Sequence, residues 1–299
     1  MLLSAIDIGS NAVRLFFSNV FEKDGQRVIE KASLMRVPLR LGEDAFVRNR
    51  ISDPNTEKLV KTMKAFRLLI DVTEPVAFRA CATSAMREVE NCEEIIQRVK
   101  QECDIKIHVI DGVEEAEIIS AVRNPEEKYH FRYSLYIDVG GGSTELSLIS
   151  KDSIVDSASF KIGTVRMLNE KVEATEWARM EVWLMRFKKI FPELISVGTG
   201  GNINKIATLY GRVPDKTLPF TNLEYALNHL QKFTIAERIE HMGLSPDRAD
   251  VIVSAAEIFY FIMKKTGGKI LFVPRFGLCD GIVSVLYKEI KSKEYNALL

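Results

Sequence analysis

The sequence contains few of the residues that metal centres and disulfide frameworks require. Only four cysteines and four histidines occur among 299 residues, and no two cysteines form a CxxC pair. A zinc site or a set of disulfides is therefore not expected, and free thiols in a reducing cytoplasm are the simpler interpretation.

Long apolar runs and an excess of charge of one sign are also lacking. The first residues, MLLSAIDIGSNAVRLFF, have no basic start and are interrupted by Asp7, so we expect neither a signal peptide nor a membrane span. Lys plus Arg and Asp plus Glu each number 41, which gives a formal net charge of zero. We therefore expect no nucleic-acid partner, and an anion site must be built locally from a few cations and backbone N–H groups.

The chain contains an internal repeat. Residues 6–15, IDIGSNAVRL, align with residues 137–146, IDVGGGSTEL. In both segments an apolar run ends at Asp, a turn of small residues follows, and a second strand begins. Further turns are expected at 23–25 and 151–153, and further strands at about 26–33, 76–79, 105–110, 154–160, 195–197 and 270–273.

Apolar residues at helical spacing separate these strands. They are Leu59, Met63, Phe66 and Ile70 in the first half, and Trp177, Met180, Leu184, Phe187 and Ile190 in the second. The order of elements predicts an α/β fold of two related domains, residues 1–124 and 125–299, joined in the polar segment 123–127. Residues 211–250 have no counterpart in the first half and predict a helical insertion. Because ligands of such sheets bind beyond the carboxyl ends of strands, we expect a cleft between the domains.

The strongest chemical signal is the loop DVGGGSTE, which begins at Asp138 and ends at Glu145. Its glycines predict a turn with positive φ whose N–H groups hold an oxyanion, and two hydroxyls add donors. Asp138 ends a buried strand, where it could hold a hydrated Mg²⁺. The candidate phosphate ligands of this loop are Gly140, Gly141, Gly142, Ser143 and Thr144.

Two other glycine-containing loops are candidates for phosphate binding. Gly9, Ser10 and Asn11 are the counterpart of the DVGGGSTE loop in the repeat, although alone they also fit a plain β-turn. Gly200 and Gly201 precede a predicted helix and would offer N–H groups to an anion. A glycine-rich turn between a strand and a helix explains this third loop equally well.

Arg87 lies in the first turn of a helix that begins at Thr83 and Ser84. A cation there opposes the helix dipole, and a bound phosphate would make its position favourable. A salt bridge to the nearby Glu88 or Glu90 is the alternative.

The segment DGVEEA begins another helix. Asp111 and Glu114 fit a capping pair, which leaves Glu115 without a structural role. The apolar side is expected to be Val113, Ala116, Ile119 and Val122, with Glu115 pointing elsewhere. Glu115 then either complements the helix dipole or accepts a proton from an attacking water.

With these motifs, the sequence resembles the exopolyphosphatase and guanosine pentaphosphate phosphatase family, part of the actin, Hsp70 and sugar-kinase superfold. The resemblance covers almost the whole chain. The motifs that carry it are IDIGSN, RLGE (40–43), ATSAMRE (82–88), DGVEEA (111–116), IDVGGGSTEL, GTGG and the late DGIV.

The family resemblance implies two duplicated actin-like, ribonuclease H-like domains with a cleft. It also implies hydrolysis of terminal phosphates from polyphosphate or guanosine pentaphosphate, assisted by Mg²⁺, with Mn²⁺ as an alternative. Glu115 falls on the proposed catalytic base and Arg87 on a phosphate-binding arginine. Asp138 and Glu145 fall on acidic positions that bind the metal and orient water, and Asp7, the counterpart of Asp138, joins the candidate metal ligands.

The chain departs from the family pattern at three places. Ala12 stands where a Ser is usual, Asn202 where a Thr is common, and Cys279-Asp280 where an Arg-Glu pair is common. Longer members carry a further helical domain, so processive digestion of long polyphosphate is not expected of a chain that stops at Leu299.

Two other functions of the same superfold are open alternatives. A kinase or ATPase would need an acceptor-binding insertion, for which only 211–250 is available, and a filament or chaperone-like module would self-assemble or bind peptides. Glu115 beside Glu114, together with Arg87, favours hydrolysis. The sequence leaves the choice among anhydride substrates open, and also the oligomeric state, a homodimer included.

Overall fold

The structure is a computed structural model that describes residues 1–23, 26–122, 132–150, 153–212 and 215–296. The centres of the turns expected at 23–25 and 151–153, and the boundary expected at 123–127, lie outside the described residues. Among the helices of the described part, none combines the length and the apolar character that a membrane crossing needs.

The chain divides into two compact units. The first contains residues 1–126 together with 276–299, and the second contains residues 127–275. The second domain was expected to continue to residue 299, whereas the structure groups the last segment with the first unit.

The first unit contains one mixed sheet in the order β3-β2-β1-β4-β5. Its strands are β1 (Leu2–Ile8), β2 (Val13–Lys23), β3 (Gln26–Val37), β4 (Ala77–Ala82) and β5 (Ile107–Val109). The helices that follow them are α1 (Leu41–Arg48), α2 (Asp53–Thr73), α3 (Ser84–Arg87), α4 (Cys92–Cys103) and α5 (Gly112–Ser120). β1 is central and buried, antiparallel to β2 and parallel to β4.

The second unit repeats this plan, with a sheet in the order β10-β11-β9-β6-β7-β8. Its first elements are β6 (Tyr133–Val139), β7 (Thr144–Ser150), β8 (Ser153–Phe160), α6 (Thr164–Leu168), α7 (Ala174–Met185), β9 (Leu194–Thr199) and α8 (Gly201–Tyr210). They are followed by β10 (Thr217–Pro219), α9 (Phe220–Leu230), α10 (Ile235–Met242), α11 (Pro246–Ala249), α12 (Ile252–Thr266) and β11 (Ile270–Phe272). The last helix, α13 (Leu278–Asn296), belongs to the first unit.

The repeat extends to an irregularity in the strands. The pairing of β2 with β3 shifts register between Phe17 and Ser18, and the pairing of β7 with β8 shifts between Leu148 and Ile149. The alignment of residues 6–15 on 137–146 carries the first pair of residues onto the second. A β-bulge at equivalent positions of both outer hairpins supports the interpretation of the two halves as copies of one plan.

The two sets of apolar residues at helical spacing lie on packed helices as expected, with one difference. Leu59, Met63, Phe66 and Ile70 are all buried in α2. The second stripe was expected to continue to Ile190, but α7 ends at Met185 and a 3₁₀ helix covers Lys188–Glu193. Pro192 lies inside this 3₁₀ helix and has no N–H to donate, but it lies seven residues beyond Met185 and does not explain why α7 ends there.

Candidate active site

In the first unit, three loops meet where parallel strands end. β1, β4 and β5 are parallel neighbours, so their carboxyl ends share one edge of the sheet. Backbone hydrogen bonds join the loops beyond that edge: the Thr83 N–H donates to Ile8 O at 3.2 Å, and the Ile110 N–H to Ala82 O at 3.0 Å. The predicted sites around Ser10, Arg87 and Glu115 therefore belong to one region of this unit.

The first loop is tightly tied to its neighbours. The Gly9 N–H donates to Ala12 O at 3.2 Å and closes the turn between β1 and β2. The Ser10 hydroxyl lies 2.9 Å from the Ser84 hydroxyl, and both side chains are buried. Because this hydroxyl is engaged with Ser84, the backbone N–H groups of the loop are its better donors for an anion.

Asp7 has a cation as its direct partner. It lies opposite Arg14 across β1 and β2, and the two side chains form a short ion pair. In the repeat alignment Arg14 corresponds to Glu145. The charge of Asp7 is thus compensated by an arginine within its own unit, which argues against the expectation that Asp7 binds a metal.

Arg87 and Glu115 form the charged pair of this region. Arg87 Nη1 donates to Ile110 O at 2.7 Å and lies 3.9 Å from Glu115 Oε2. The helix that carries Arg87 has only one turn. The sequence offered Glu88 or Glu90 as a salt-bridge partner, but the ion pair that forms is with Glu115, a residue from another loop.

Asp111 caps α5 as the sequence predicts, but among the described residues no hydrogen bond returns from the Glu114 side chain to complete the predicted capping pair, and the buried face of the helix differs. Asp111 Oδ1 accepts hydrogen bonds from the N–H groups of Val113 at 2.9 Å and Glu114 at 2.8 Å. Val113 was expected on the apolar side and is 45% exposed, whereas Glu115 is only 6% exposed. Spacings of three and four residues place Glu115 on the same face as Ile118 and Ile119, which are buried. The fold therefore buries the acid that the sequence singled out.

The Cys279-Asp280 departure lies at the start of α13. Asp280 Oδ2 accepts the Gly277 N–H at 2.9 Å, and burial raises the pKa of this carboxyl. Burial also raises the pKa of the Cys279 thiol. All four cysteines are free thiols.

In the second unit, the DVGGGSTE loop (138–145), called the glycine loop from here on, presents its carbonyls to one side. Gly140 O accepts the Thr164 N–H at 3.0 Å, and Gly141 O accepts the N–H groups of Val165 and Arg166 at 2.8 and 3.0 Å. Gly142 O accepts Arg166 Nε at 2.8 Å. In a trans peptide the next N–H points opposite to the carbonyl, so the N–H groups of residues 141–143 point away from segment 163–166. Such a row of N–H groups suits an oxyanion.

The reason expected for glycine in this loop is wrong. Positive φ was predicted for Gly140, Gly141 and Gly142, but among the described glycines only Gly200, Gly243 and Gly267 have it. The close packing that requires a glycine lies on the facing segment, at position 163. A Cβ on Gly163 would lie 2.3 Å from the Gly142 carbonyl carbon and 2.5 Å from that of Gly141.

Ser143 and Thr144, which follow the glycines, were predicted to donate their hydroxyls to a phosphate, and the structure gives a different picture. The Thr144 hydroxyl donates to Ile162 O at 2.5 Å, and its residue is fully buried. That hydroxyl is therefore used inside the unit rather than offered to a phosphate. Ser143 is also buried, and its carbonyl accepts the Gly140 N–H at 2.9 Å.

Asp138 and Glu145 form a pair of carboxylates. They lie opposite one another across β6 and β7, with carboxylate oxygens within 4.8 Å. Thr199 Oγ1 donates to Asp138 Oδ1 at 2.5 Å, and Ser159 Oγ donates to Glu145 Oε1 at 2.8 Å. Two oxygen ligands so close fit a hard divalent cation, which would also relieve their mutual repulsion.

The third loop lies beside this pair. Gly200 has φ 106°, and a Cβ there would lie 3.2 Å from Val139 O and 3.4 Å from Asp138 Oδ1. α8 starts at the next residue, so the unpaired N–H groups of its first turn lie close to the carboxylate pair. In the second unit, acids, a glycine loop and a helix start are therefore combined at one edge of the sheet.

Comparison with known proteins identifies the family. The family model described as the Ppx/GppA phosphatase family matches residues 20–288. This chain belongs to the Ppx/GppA phosphatase family. It is accordingly an enzyme of the phosphohydrolase class, which favours hydrolysis over the kinase and filament alternatives.

Individual relatives of this family member are distant in sequence. A bifunctional 3-dehydroquinate synthase/phosphatase of Fusobacterium nucleatum is 28% identical over 98% of this chain, which spans about half (47%) of the relative's length. Exopolyphosphatase 1 of Mycobacterium bovis is 24% identical over 95% of this chain and 87% of its own length.

Solved structures of the Ppx/GppA family confirm the fold. The Aquifex aeolicus family member is 26% identical and has a TM-score of 0.74, with coverage of 97% of this chain and 98% of that one. An exopolyphosphatase from Cytophaga hutchinsonii has a TM-score of 0.80 at 23% identity, with coverage of 98% of both chains. The expected α/β fold with a duplicated plan is therefore correct.

Sequence reasoning missed several residues of the candidate site. Gly163 and Arg166 hold the glycine loop, Ser84 holds Ser10, and Arg14 pairs with Asp7. The segment KIGTVR at 161–166 carried a usable signal, because Gly-Thr after a strand is typical of a helix start. The only signal for Arg14 in the sequence was the repeat alignment, which places this arginine at the position of Glu145 and so reverses the sign of the charge.

Proposed function

We propose that the protein removes terminal orthophosphate from inorganic polyphosphate or guanosine pentaphosphate by metal-assisted attack of water. The observation that carries this proposal is the Asp138–Glu145 carboxylate pair beside the glycine loop and the start of α8. Membership of a phosphatase family supports the hydrolytic class. The name exopolyphosphatase, borne by the mycobacterial relative, supports an anhydride substrate.

Asp138 and Glu145 are the residues we assign to a divalent cation, Mg²⁺ first and Mn²⁺ as the alternative. Their oxygens lie within 4.8 Å of one another, and Glu145 is 2% exposed. When bound, such a cation neutralises the charge that develops on phosphate oxygens during transfer. Thr199 and Ser159 hold the two carboxylates in place by hydrogen bonds at 2.5 and 2.8 Å.

Backbone N–H groups are the phosphate ligands we propose for the second unit. The carbonyls of residues 140–142 are turned towards segment 163–166, so the N–H groups of residues 141–143 are directed the other way. Gly201 adds the N–H groups of a helix start. In the first unit we propose the loop of Gly9, Ser10 and Asn11 as a further phosphate ligand.

Glu115 is the general base of this proposal, and Arg87 binds phosphate. Glu115 is buried, and its Oε2 lies 3.9 Å from Arg87 Nη1. A carboxylate held beside a guanidinium can take the proton of an attacking water while the arginine stabilises charge on the phosphoryl group. We therefore assign the general base and a phosphate-binding arginine to the first unit. The free thiols fit a cytoplasmic location.

A phosphate-release panel tests the proposed function. We expect the wild-type protein to release orthophosphate from tripolyphosphate, longer polyphosphate or guanosine pentaphosphate in Mg²⁺ or Mn²⁺, and to lose that activity in excess chelator. Asp138→Asn should lower turnover and weaken the dependence of rate on metal concentration together, because one ligand charge is removed. Full activity in chelator would exclude the metal-assisted route, and no release from any of the three substrates would exclude the function.

A further inference from the structure

The segment RLGE, Arg40 to Glu43, is bound directly to the first glycine loop, and nothing in the proposed chemistry uses it. The Arg40 N–H donates to Asn11 O at 3.0 Å, and the Gly42 N–H donates to Ser10 O at 2.8 Å. Two backbone hydrogen bonds thus fix this segment against the residues to which we assign a phosphate.

Gly42 allows this close approach. A Cβ there would lie 2.7 Å from Phe46 Cε2, 3.0 Å from Ser10 Cβ and 3.2 Å from Ser10 O. Any larger residue would push the segment away from the first loop. The position of Arg40 relative to Ser10 and Asn11 is therefore set by packing.

Arg40 itself has an unfavourable backbone conformation. Its φ is 56° and its ψ 39°, the left-handed region that a residue with a Cβ adopts at a cost. Such residues persist where their surroundings fix them, and they concentrate at ligand-binding sites. Glycine adopts this backbone conformation without that cost, so it is the replacement that suits position 40 best.

The guanidinium of Arg40 has a partner that can leave. Arg40 Nε donates to Glu43 Oε1 at 2.5 Å. The Arg40 side chain is 20% exposed, while that of Glu43 is 47% exposed. Glu43 can therefore rotate into water without disturbing the fold, whereas Arg40 is largely enclosed.

We propose that Arg40 is a further phosphate ligand of the first unit, held by Glu43 until a substrate phosphate takes the carboxylate's place. An arginine presents a planar set of donors that suits carboxylate and phosphate alike, so one anion can replace the other. The phosphate concerned is the one assigned to the first loop, so this inference rests on the proposed function. A purely structural ion pair at the start of α1 is the competing explanation.

Binding of a stable substrate analogue separates these explanations. The probe is imidodiphosphate, a pyrophosphate analogue with a P–N–P bridge, titrated in Mg²⁺ by calorimetry into the whole protein. Arg40→Gly removes the guanidinium at a backbone conformation that glycine prefers, so folding is retained. Glu43→Gln removes the competing carboxylate, and Arg48→Ala, at the other end of α1, is the matched control.

We expect Arg40→Gly to weaken imidodiphosphate binding about 10-fold or more, since a hydrogen bond to a charged group is lost. Glu43→Gln should strengthen binding by about 2–5-fold, and Arg48→Ala should leave it unchanged. Equal affinity in Arg40→Gly, weaker binding in Glu43→Gln, or no binding to the wild type would each overturn the inference. Phosphate release by the wild type is measured alongside, because its absence would refute the proposed function even if analogue binding behaves as expected.

Discussion

Asp44 and Glu115 are both buried carboxylates of the first unit, and their surroundings assign them different roles. Asp44 Oδ2 accepts hydrogen bonds from the Ser52 N–H at 2.9 Å, the Ser52 hydroxyl at 2.5 Å and Asn55 Nδ2 at 2.8 Å. These donors lie at the start of α2, so Asp44 joins α1 to α2. Glu115 instead lies 3.9 Å from Arg87 at the edge of the sheet, where we propose it as a general base.

Asp44 should make stability depend on pH. Burial raises its pKa, but the hydrogen bonds from Ser52 and Asn55, together with the charge of Arg48, outweigh burial and hold the pKa below its usual value. The folded state thus binds this proton less readily than the unfolded state, so the stabilisation is present above about pH 4 and is lost as the pH falls through the lowered pKa.

Asp44→Asn should lower the free energy of unfolding at pH 7 by about 1–3 kcal/mol, because the amide presents a donor to groups that are themselves donors. The difference from the wild type should shrink as the pH falls below about 4. Urea unfolding at pH 7 and pH 3 measures both quantities. A difference that stays constant between these two pH values would show that the charge of Asp44 does not contribute.

At the scale of elements, the glycine loop and segment 163–166 pack tightly against each other. Gly163→Ala would put a methyl group 2.3 Å from the backbone of Gly142, so the loop has to move. We expect a loss of about 3 kcal/mol in the free energy of unfolding and a large loss of phosphate release. Gly277→Ala, where the added methyl group meets no atom within 4 Å, is the control and should cost about 1 kcal/mol or less. Wild-type stability of Gly163→Ala in thermal unfolding would contradict this close packing.

Some helices and strands were predicted from the sequence and others were not. The repeat of IDIGSNAVRL and IDVGGGSTEL predicted the central strands of both sheets, because strand and turn preferences are local properties. It did not predict β10, which lies in the segment 211–250 that was expected to be a helical insertion. The end of α7 at Met185 was not predicted, because the apolar spacing continues to Ile190. The burial of Glu115 was not predicted either, because the assignment of an apolar side to α5 depended on where the helix lies in the unit.

The residues of the candidate site also divide into those that the sequence predicted and those that it did not. The acids Asp138 and Glu145 were found from a motif, and their pairing across β6 and β7 follows from strand alternation. The hydrogen bond of Thr144 to Ile162 and the contact of Gly163 with the glycine loop join residues from different elements. Such contacts depend on tertiary packing and have no periodic signal in the sequence.

At the scale of the whole molecule, the two units share a plan and differ in charge at one equivalent position. Arg14 faces Asp7 in the first unit, and Glu145 faces Asp138 in the second. The same pair of strands thus carries an ion-paired aspartate in one unit and two facing carboxylates in the other. In the function we propose, the metal belongs to the second unit and the base, Glu115, to the first.

The most direct test of this division of roles compares two neighbouring acids in the whole protein. Glu115→Gln and Glu114→Gln are measured for phosphate release and melting temperature under identical Mg²⁺ conditions. Glu114 is exposed, and only its N–H is known to serve the helix cap, so its variant should retain nearly normal values of both. Glu115→Gln should keep its melting temperature while turnover falls by roughly 10²–10⁴-fold, the range for loss of a positioned general base. Near-normal turnover of Glu115→Gln would contradict the assignment of the base and make Glu145 the next candidate.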